Sequence, residues 1–281
     1  MAQVGDLFDL VIVDEAHHFI SDYGREILEM SPSSQILGLS ATFTDDVSEL
    51  KKVKPYLGDV VYKLSLLDLK GKVLANYKHI IQEVSLSSAD QFFYNKKMQD
   101  FKSLIDKLQS DSENLLNKKE IFQLLLKSNK GKQALSCLHQ AKAIVARCDS
   151  KIIYLNELLL RFRHKKILIY TADTIMAMRV AKNLFIMPIT AQTTQKQRKI
   201  IIESFKRNEI GALVTCKVLN EGFDVPNADM AIIIGGTQGR REHVQRIGRI
   251  LRPSEGKVAI VYELICKGTF EIHHSNLRNT N

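Results

Sequence analysis

Leu7 to Val13 is a near-continuous apolar run that ends at Asp14 and Glu15. That is the pattern of a parallel strand buried on both faces, with acidic residues at its C-terminal edge. Gln35 to Ser40 repeats it, Ser21 to Met30 has the composition of a helix between the two, and Gly58 to Leu64 is expected to add one more strand. The opening therefore reads as β-α-β units of a parallel sheet. From about Ser87 to Phe162 the spacing becomes helical. Tyr94, Met98, Phe101, Ile105 and Leu108 fall on one face of a 3.6-residue period, and Ala134, Leu138, Ala141 and Val145 form a second stripe. Asn129-Lys130-Gly131 suits a helix stop just before that second stripe. From Lys166 the α/β alternation returns, with strands expected at Ile167 to Tyr170, Gly211 to Thr215, Met230 to Ile234 and Lys257 to Leu264. Thr194 and Gln197 form a capping box that opens a helix running to about Phe205.

This alternation divides the 281 residues into a partial α/β lobe over 1–65, a helical insertion over 66–149 and a second α/β lobe over 150–281. Two cores fit the length, because single cores stop growing near about 250 to 300 residues. With 45% hydrophobic and 25% charged residues the chain falls in the ordinary globular range, and a fragment from about Ser150 to Gly268 is expected to fold by itself. The strand at Leu10 to Val13, by contrast, is expected to lack sheet neighbours and to leave apolar surface uncovered.

Forty Lys and Arg against 31 Asp and Glu give a formal charge of +9. The excess favours a polyanionic partner, nucleic acid first, although a basic proteome background gives the same balance. Cys137, Cys148, Cys216 and Cys266 are widely spaced and form no C-x-x-C pair, so they read as free thiols in a reducing, cytoplasmic compartment. No apolar run reaches the roughly 18 residues that span a bilayer, so no membrane association is expected.

Five segments carry chemistry. Val11 to Val13 leads into Asp14-Glu15-Ala16-His17, which places two carboxylates at a strand edge. The first is suited to a hydrated Mg²⁺ and the second to orienting an attacking water. His17 and His18, adjacent on an extended chain, would point to opposite faces and so are not expected to chelate one ion. Ser40-Ala41-Thr42 follows the second strand. Farther on, Gln245-Arg246-Ile247-Gly248-Arg249-Ile250-Leu251-Arg252 sets three arginines within seven residues of one helix, an arrangement that is hard to pack without an anion. In Asn220-Glu221-Gly222-Phe223-Asp224-Val225-Pro226, Gly222 would permit close backbone approach to a phosphate. Thr215 and Tyr170-Thr171-Ala172-Asp173 end two strands near a basic cluster of Arg161, Arg163, Lys165 and Lys166.

These segments, in this order, resemble the DEAH tetrad, the SAT element and motifs IV, V and VI of superfamily 2 helicases. Gly239-Arg240-Arg241-Glu242, Arg252-Pro253-Ser254 and Tyr262-Glu263-Leu264 are similar to archaeal XPB-like DNA repair helicases across nearly the whole chain. The resemblance implies tandem RecA-like P-loop NTPase lobes, the first incomplete, with the helical insertion in the place of a DNA-gripping thumb. It further implies ATP and Mg²⁺ as cofactors and DNA as partner. Asp14, Glu15 and the arginine fingers Arg249 and Arg252 would be catalytic, with Asp14 holding Mg²⁺ through water. His17, Gln245, Gly222 and Asp224 would face the nucleotide, and Ser40, Thr42, Thr171 and Thr215 would serve nucleic-acid contact and coupling.

The departure from the family is that no G-x-x-x-x-G-K-[ST] occurs in these residues. Met1 is thus expected to fall in mid-protein, and a separate chain carrying the N-terminal half is one expected partner. Two alternatives stand beside the motor: a non-catalytic remnant that binds DNA or a nuclease partner, and another superfamily 2 class such as a restriction translocase or an RNA helicase.

Overall fold

The computed structural model describes residues 8–29, 35–40, 47–64, 76–110, 118–216, 228–235 and 258–279. The chain divides into two units, Met1–Leu69 and Lys70–Asn281. Among the described residues no helix is long and apolar enough to cross a membrane.

In the first unit β1 (Leu10–Val13) pairs in parallel with β2 (Gln35–Gly38), in register from Leu10 with Gln35 to Val13 with Gly38. A 3₁₀ turn (Ala16–Ile20) and α1 (Asp22–Glu29) connect them, and α2 (Val47–Leu57) follows. Val13, Ala16 and Leu28 make a small core. Leu10, Ile12, Leu37 and Leu39 on one face of the pair are exposed. The strand expected at Gly58 to Leu64 does not form. The Gly58 N–H donates to the Lys54 carbonyl at 2.9 Å and closes α2 instead, and Val60, Val61 and Tyr62 beyond it are exposed.

The second unit is built on six parallel strands: β3 (Asn76–Val84), β4 (Ile167–Thr171), β5 (Met187–Ile189), β6 (Ala212–Cys216), β7 (Met230–Ile234) and β8 (Val258–Cys266). Their spatial order is β3-β8-β7-β4-β6-β5. Parallel neighbours require crossovers, and the helices that supply them cover both faces. Hence β4 is buried at all five positions: Leu168 and Tyr170 face one core with Ile202, Phe205 and Val261, while Ile167 and Ile169 face the other with Met176, Val180 and Ile232.

Between β3 and β4 lie α3 (Ser88–Ser110), α4 (Lys118–Lys127), α5 (Asn129–Ala146) and α6 (Asp149–Arg161). The expected stripes are the buried ones: Tyr94 and Leu108 on α3, and Ala134, Ala141 and Val145 on α5. Asn129-Lys130-Gly131 belongs to the first turn of α5, where Ser128 accepts from the Gly131 N–H at 2.9 Å, and so starts a helix rather than stopping one. Gly131 is required by close approach, since an added Cβ would lie 2.3 Å from the Leu124 carbonyl. After β4 come α7 (Thr174–Leu184), α8 (Gln195–Lys206), opened by the Thr194–Gln197 capping box, and finally α9 (Phe270–Asn279).

Two strands were not expected from the pattern, β3 and β5. The segment 66–149, read as a helical insertion, contains β3, whose nine residues pair with β8 from Asn76 with Val258 to Val84 with Cys266. Lys78, His79, Gln82 and Glu83 disguise it, because an edge strand tolerates polar side chains that a central one does not. A fragment from Ser150 to Gly268 is accordingly not a closed unit. It would omit both β3 and α9, and with α9 the partner of a buried cation. Lys151 is wholly buried, its Nζ donating to both Glu271 carboxylate oxygens at 2.8 Å, and Glu271 Oε2 also accepts from the Cys266 N–H at 2.8 Å. Burial works against the ammonium form, but the Glu271 charge and hydrogen bond, together with the neighbouring Cys266 and Cys148, outweigh it and hold the Lys151 pKa above its ordinary value.

Lys151→Met, which strands the carboxylate in the core, is expected to destabilise the second unit by about 3–5 kcal/mol in urea unfolding. The double variant with Glu271→Gln should regain most of this loss, because the amide oxygen still accepts from Cys266 and no bare charge remains.

Candidate functional site

The acidic tetrad begins where β1 runs out. Val13 is the last paired residue, its carbonyl accepts the Leu39 N–H at 2.8 Å, and the Ala16 N–H donates to the Leu39 carbonyl at 2.8 Å. The segment after β1 is thereby laced to the segment after β2. Between these ties the chain must turn, and it does so at Glu15, whose backbone is left-handed (φ 52°, ψ 45°). For a non-glycine residue this conformation costs on the order of 1–2 kcal/mol. It is held by the Asp14 carboxylate, which accepts the Glu15 N–H at 2.8 Å, and by the Glu15 carbonyl, which accepts from His18 at 3.0 Å.

Ala16 fits because β2 ends in glycine: a Cβ on Gly38 would lie 3.1 Å from the Ala16 methyl and 3.3 Å from Leu57. A lone glycine inside a strand pattern is the signal that could have found this position. His17 is then folded inward, its side chain 6% exposed, with Nδ1 3.0 Å from Ser40 Oγ and 3.3 Å from Glu15 Oε2. With its proton on Nδ1 the imidazole donates toward both oxygens, bridging the tetrad and the SAT element. Asp14, by contrast, is exposed.

Two expectations are corrected here. His17 and His18 do not sit on extended backbone; the 3₁₀ turn brings their rings to 4.1 Å, tilted by 48°. Among the described residues no group of three or more His, Cys, Asp and Glu is placed to hold a metal ion. Thr171 and Thr215, expected to touch nucleic acid, are wholly buried at the ends of β4 and β6. The Thr171 hydroxyl lies 3.0 Å from the Asp173 carbonyl and 3.2 Å from that of Thr215. Central strands covered on both faces turn such hydroxyls inward, where that of Thr171 ties the ends of β4 and β6 together. Asp173, two residues beyond Thr171, caps α7 by accepting from the Met176 N–H at 2.7 Å and takes Arg147 at 2.8 Å. An Asp directly before an apolar helical stripe is the sequence signal for that cap. Thr42, Gly222, Asp224, Gln245, Arg249 and Arg252 lie outside the described residues.

Residues 150–254 match the helicase conserved C-terminal domain, and residues 2–45 match the type III restriction enzyme res subunit. Over 276 residues, 98% of the chain, the sequence is 32% identical to the DNA 3'-5' translocase XPB2 of Sulfurisphaera tokodaii. Across nearly its whole length the chain is thus similar to an XPB-type DNA translocase. It is also 26% identical, over 96% of its length, to the Drosophila melanogaster general transcription and DNA repair factor IIH helicase/translocase subunit XPB. It spans 63% of the first of these XPB relatives and 30% of the second. The crystal structure of the Pyrococcus furiosus Hef helicase domain shares the fold, at a TM-score of 0.57 and 19% identity over 96% of this chain and 74% of that one. The second unit thus has a RecA-like α/β fold. In the first unit the tetrad stands at the C-terminal edge of a parallel pair, where open α/β sheets bind ligands.

Relief of the backbone strain is measurable. Glu15→Gly is expected to slow hydrogen exchange at the Ala16 and Leu39 amides about fivefold, equivalent to about 1 kcal/mol of local stability. Unchanged or faster exchange would mean that the left-handed turn is not strained.

Proposed function

We propose that this chain supplies the catalytic carboxylates and the second RecA-like lobe of an ATP-dependent DNA translocase acting in repair or transcription-linked DNA opening. Residues 1–65 are the C-terminal part of lobe 1, 150–281 together with β3 are lobe 2, and the helices within 66–149 act as a DNA-gripping thumb. The observation that carries this reading is the bridge from His17 Nδ1 to Ser40 Oγ at 3.0 Å, which ties a carboxylate pair to the segment that follows the neighbouring strand. A change at the carboxylates is transmitted mechanically to that segment through a single buried imidazole.

The described half of the site suits Mg²⁺-ATP. Asp14 presents an exposed carboxylate at a strand edge, the donor type that a hydrated Mg²⁺ requires, and Glu15 stands next to it for a water. Gln245, Gly222, Asp224, Arg249 and Arg252 join the proposal through their motifs alone. The nucleotide supplies a phosphoanhydride whose γ-phosphoryl charge the two arginines would balance. Asp14, Glu15 and His17 would hold and orient the metal ion and the water.

A second reading rests on the charge balance, 40 Lys and Arg against 31 Asp and Glu, which suits a polyanion whether or not ATP is hydrolysed. It is a non-catalytic DNA-binding lobe, recruiting a nuclease or working with a P-loop-bearing chain.

DNA-stimulated ATP hydrolysis, assayed on the native protein isolated from its source, separates the two. The motor predicts stimulation by duplex DNA and a fall in kcat of about 10³-fold or more in Arg249→Ala. No hydrolysis, together with duplex binding that weakens steeply between about 50 and 200 mM salt, would replace it with the binding module.

A further inference from the structure

Away from the tetrad, two free thiols face each other in the core of the second unit. Cys148 Sγ lies 3.3 Å from Cys266 Sγ although the residues are 118 apart in sequence. Both belong to the cluster of Val84, Tyr94, Ala141 and Val145 where the helical segment is rooted on the sheet. Cys148 is the second of the two residues between α5 and α6; Cys266 is the last residue of β8. Apolar packing alone does not call for two sulfurs at this contact, and the surroundings are not apolar. Lys151, three residues into α6, is locked by Glu271, and Glu271 in turn holds the Cys266 backbone N–H.

We infer that Cys148 and Cys266 are a peroxide-reactive thiol pair that closes into a disulfide, stapling the root of the helical segment to the end of β8. The geometry assigns the roles. Cys148 occupies the N-cap of α6, where helix N–H groups and the Lys151 ammonium favour a thiolate. The hydrogen bond from Cys266 first, then the Lys151 charge acting against burial, bring its pKa down to about 7. The same sulfur–sulfur hydrogen bond, with burial, pushes Cys266 up, so it holds its proton longer and reacts second. Access matches a small oxidant: Cys148 is itself buried, but its neighbours Arg147 and Asp149 reach solvent. Hydrogen peroxide is little larger than water.

The Cys148 thiolate attacks the peroxide, forming an S–O bond as the O–O bond breaks, and the leaving hydroxide takes a proton to become water. The Cys266 sulfur then attacks the Cys148 sulfur; the S–S bond forms, the S–O bond breaks, and the oxygen leaves with the Cys266 proton as a second water. Two thiols are oxidised by one electron each, and one peroxide is reduced to two waters.

The test is a hydrogen peroxide titration of the native chain, followed by alkylation under denaturing conditions and intact mass. The expected product has lost about 2 Da, takes up two alkyl groups where the reduced chain takes four, and yields one cross-linked peptide joining Cys148 to Cys266. Its Tm should rise by roughly 5–10 °C, because the cross-link closes a long loop. Cys266→Ser, which removes the resolving thiol, should stop at a Cys148 sulfenic acid that dimedone traps. Four alkylatable thiols after treatment, a cross-link through Cys137 or Cys216, or a +32 Da product on Cys148 in the unmutated chain would each overturn the assignment. None of these readouts depends on ATP or DNA, so the pair stands or falls apart from the motor reading.

Discussion

A cation taken out of water must bring its counter-charge with it, and in the second unit that requirement is met at one place. Lys151 has no water to turn to, so the first turn of α6 can settle only where the Glu271 carboxylate waits, 120 residues further along the chain. Glu271 can wait there only because β8 has ended at Cys266 and offers its N–H. The entry to the sheet and its exit are thereby fixed to each other before any apolar contact is counted. Such a pair adds little net stability over a hydrophobic replacement, but it penalises every arrangement in which either partner is buried alone.

Around this corner the apolar pattern dictates the rest, and it was legible in proportion to burial. Ile167 to Thr171 and Met230 to Ile234 are covered on both faces, and a strand covered on both faces must be apolar throughout, so both could be read from sequence to within a residue. The edges could not. Asn76 to Val84 mixes Lys78, His79, Gln82 and Glu83 into its run, and Met187 to Ile189 is three residues with a proline in the middle. Gly58 to Leu64 shows the converse error: β-branched and aromatic residues do not by themselves make a strand. What decided these cases was pairing, a property of two segments that no single segment displays.

The site shows a similar division. Residue identities named the tetrad and the SAT serine, and the order of motifs named the family, because chemistry restricts which side chains serve. Conformation was hidden. Nothing in Asp14-Glu15-Ala16-His17 announces a left-handed glutamate, and nothing in Tyr170-Thr171-Ala172-Asp173 announces that its threonine points into the core while its aspartate caps a helix. Hydroxyl residues at strand ends serve strands as readily as ligands, and only burial separates the two uses.

The pairing of β3 with β8 has one more implication. Nine residues of β3 lie alongside β8 in a parallel ladder, and α3 departs from the C-terminal end of that same strand, after Val84. A pull transmitted along β3 therefore loads the ladder lengthwise, in shear, so that its evenly spaced hydrogen bonds resist together instead of opening one after another as in a zipper. An edge strand, ordinarily the weakest part of a sheet, is in this orientation a tendon: it lets helices anchored at one of its ends bear tension without peeling the lobe apart.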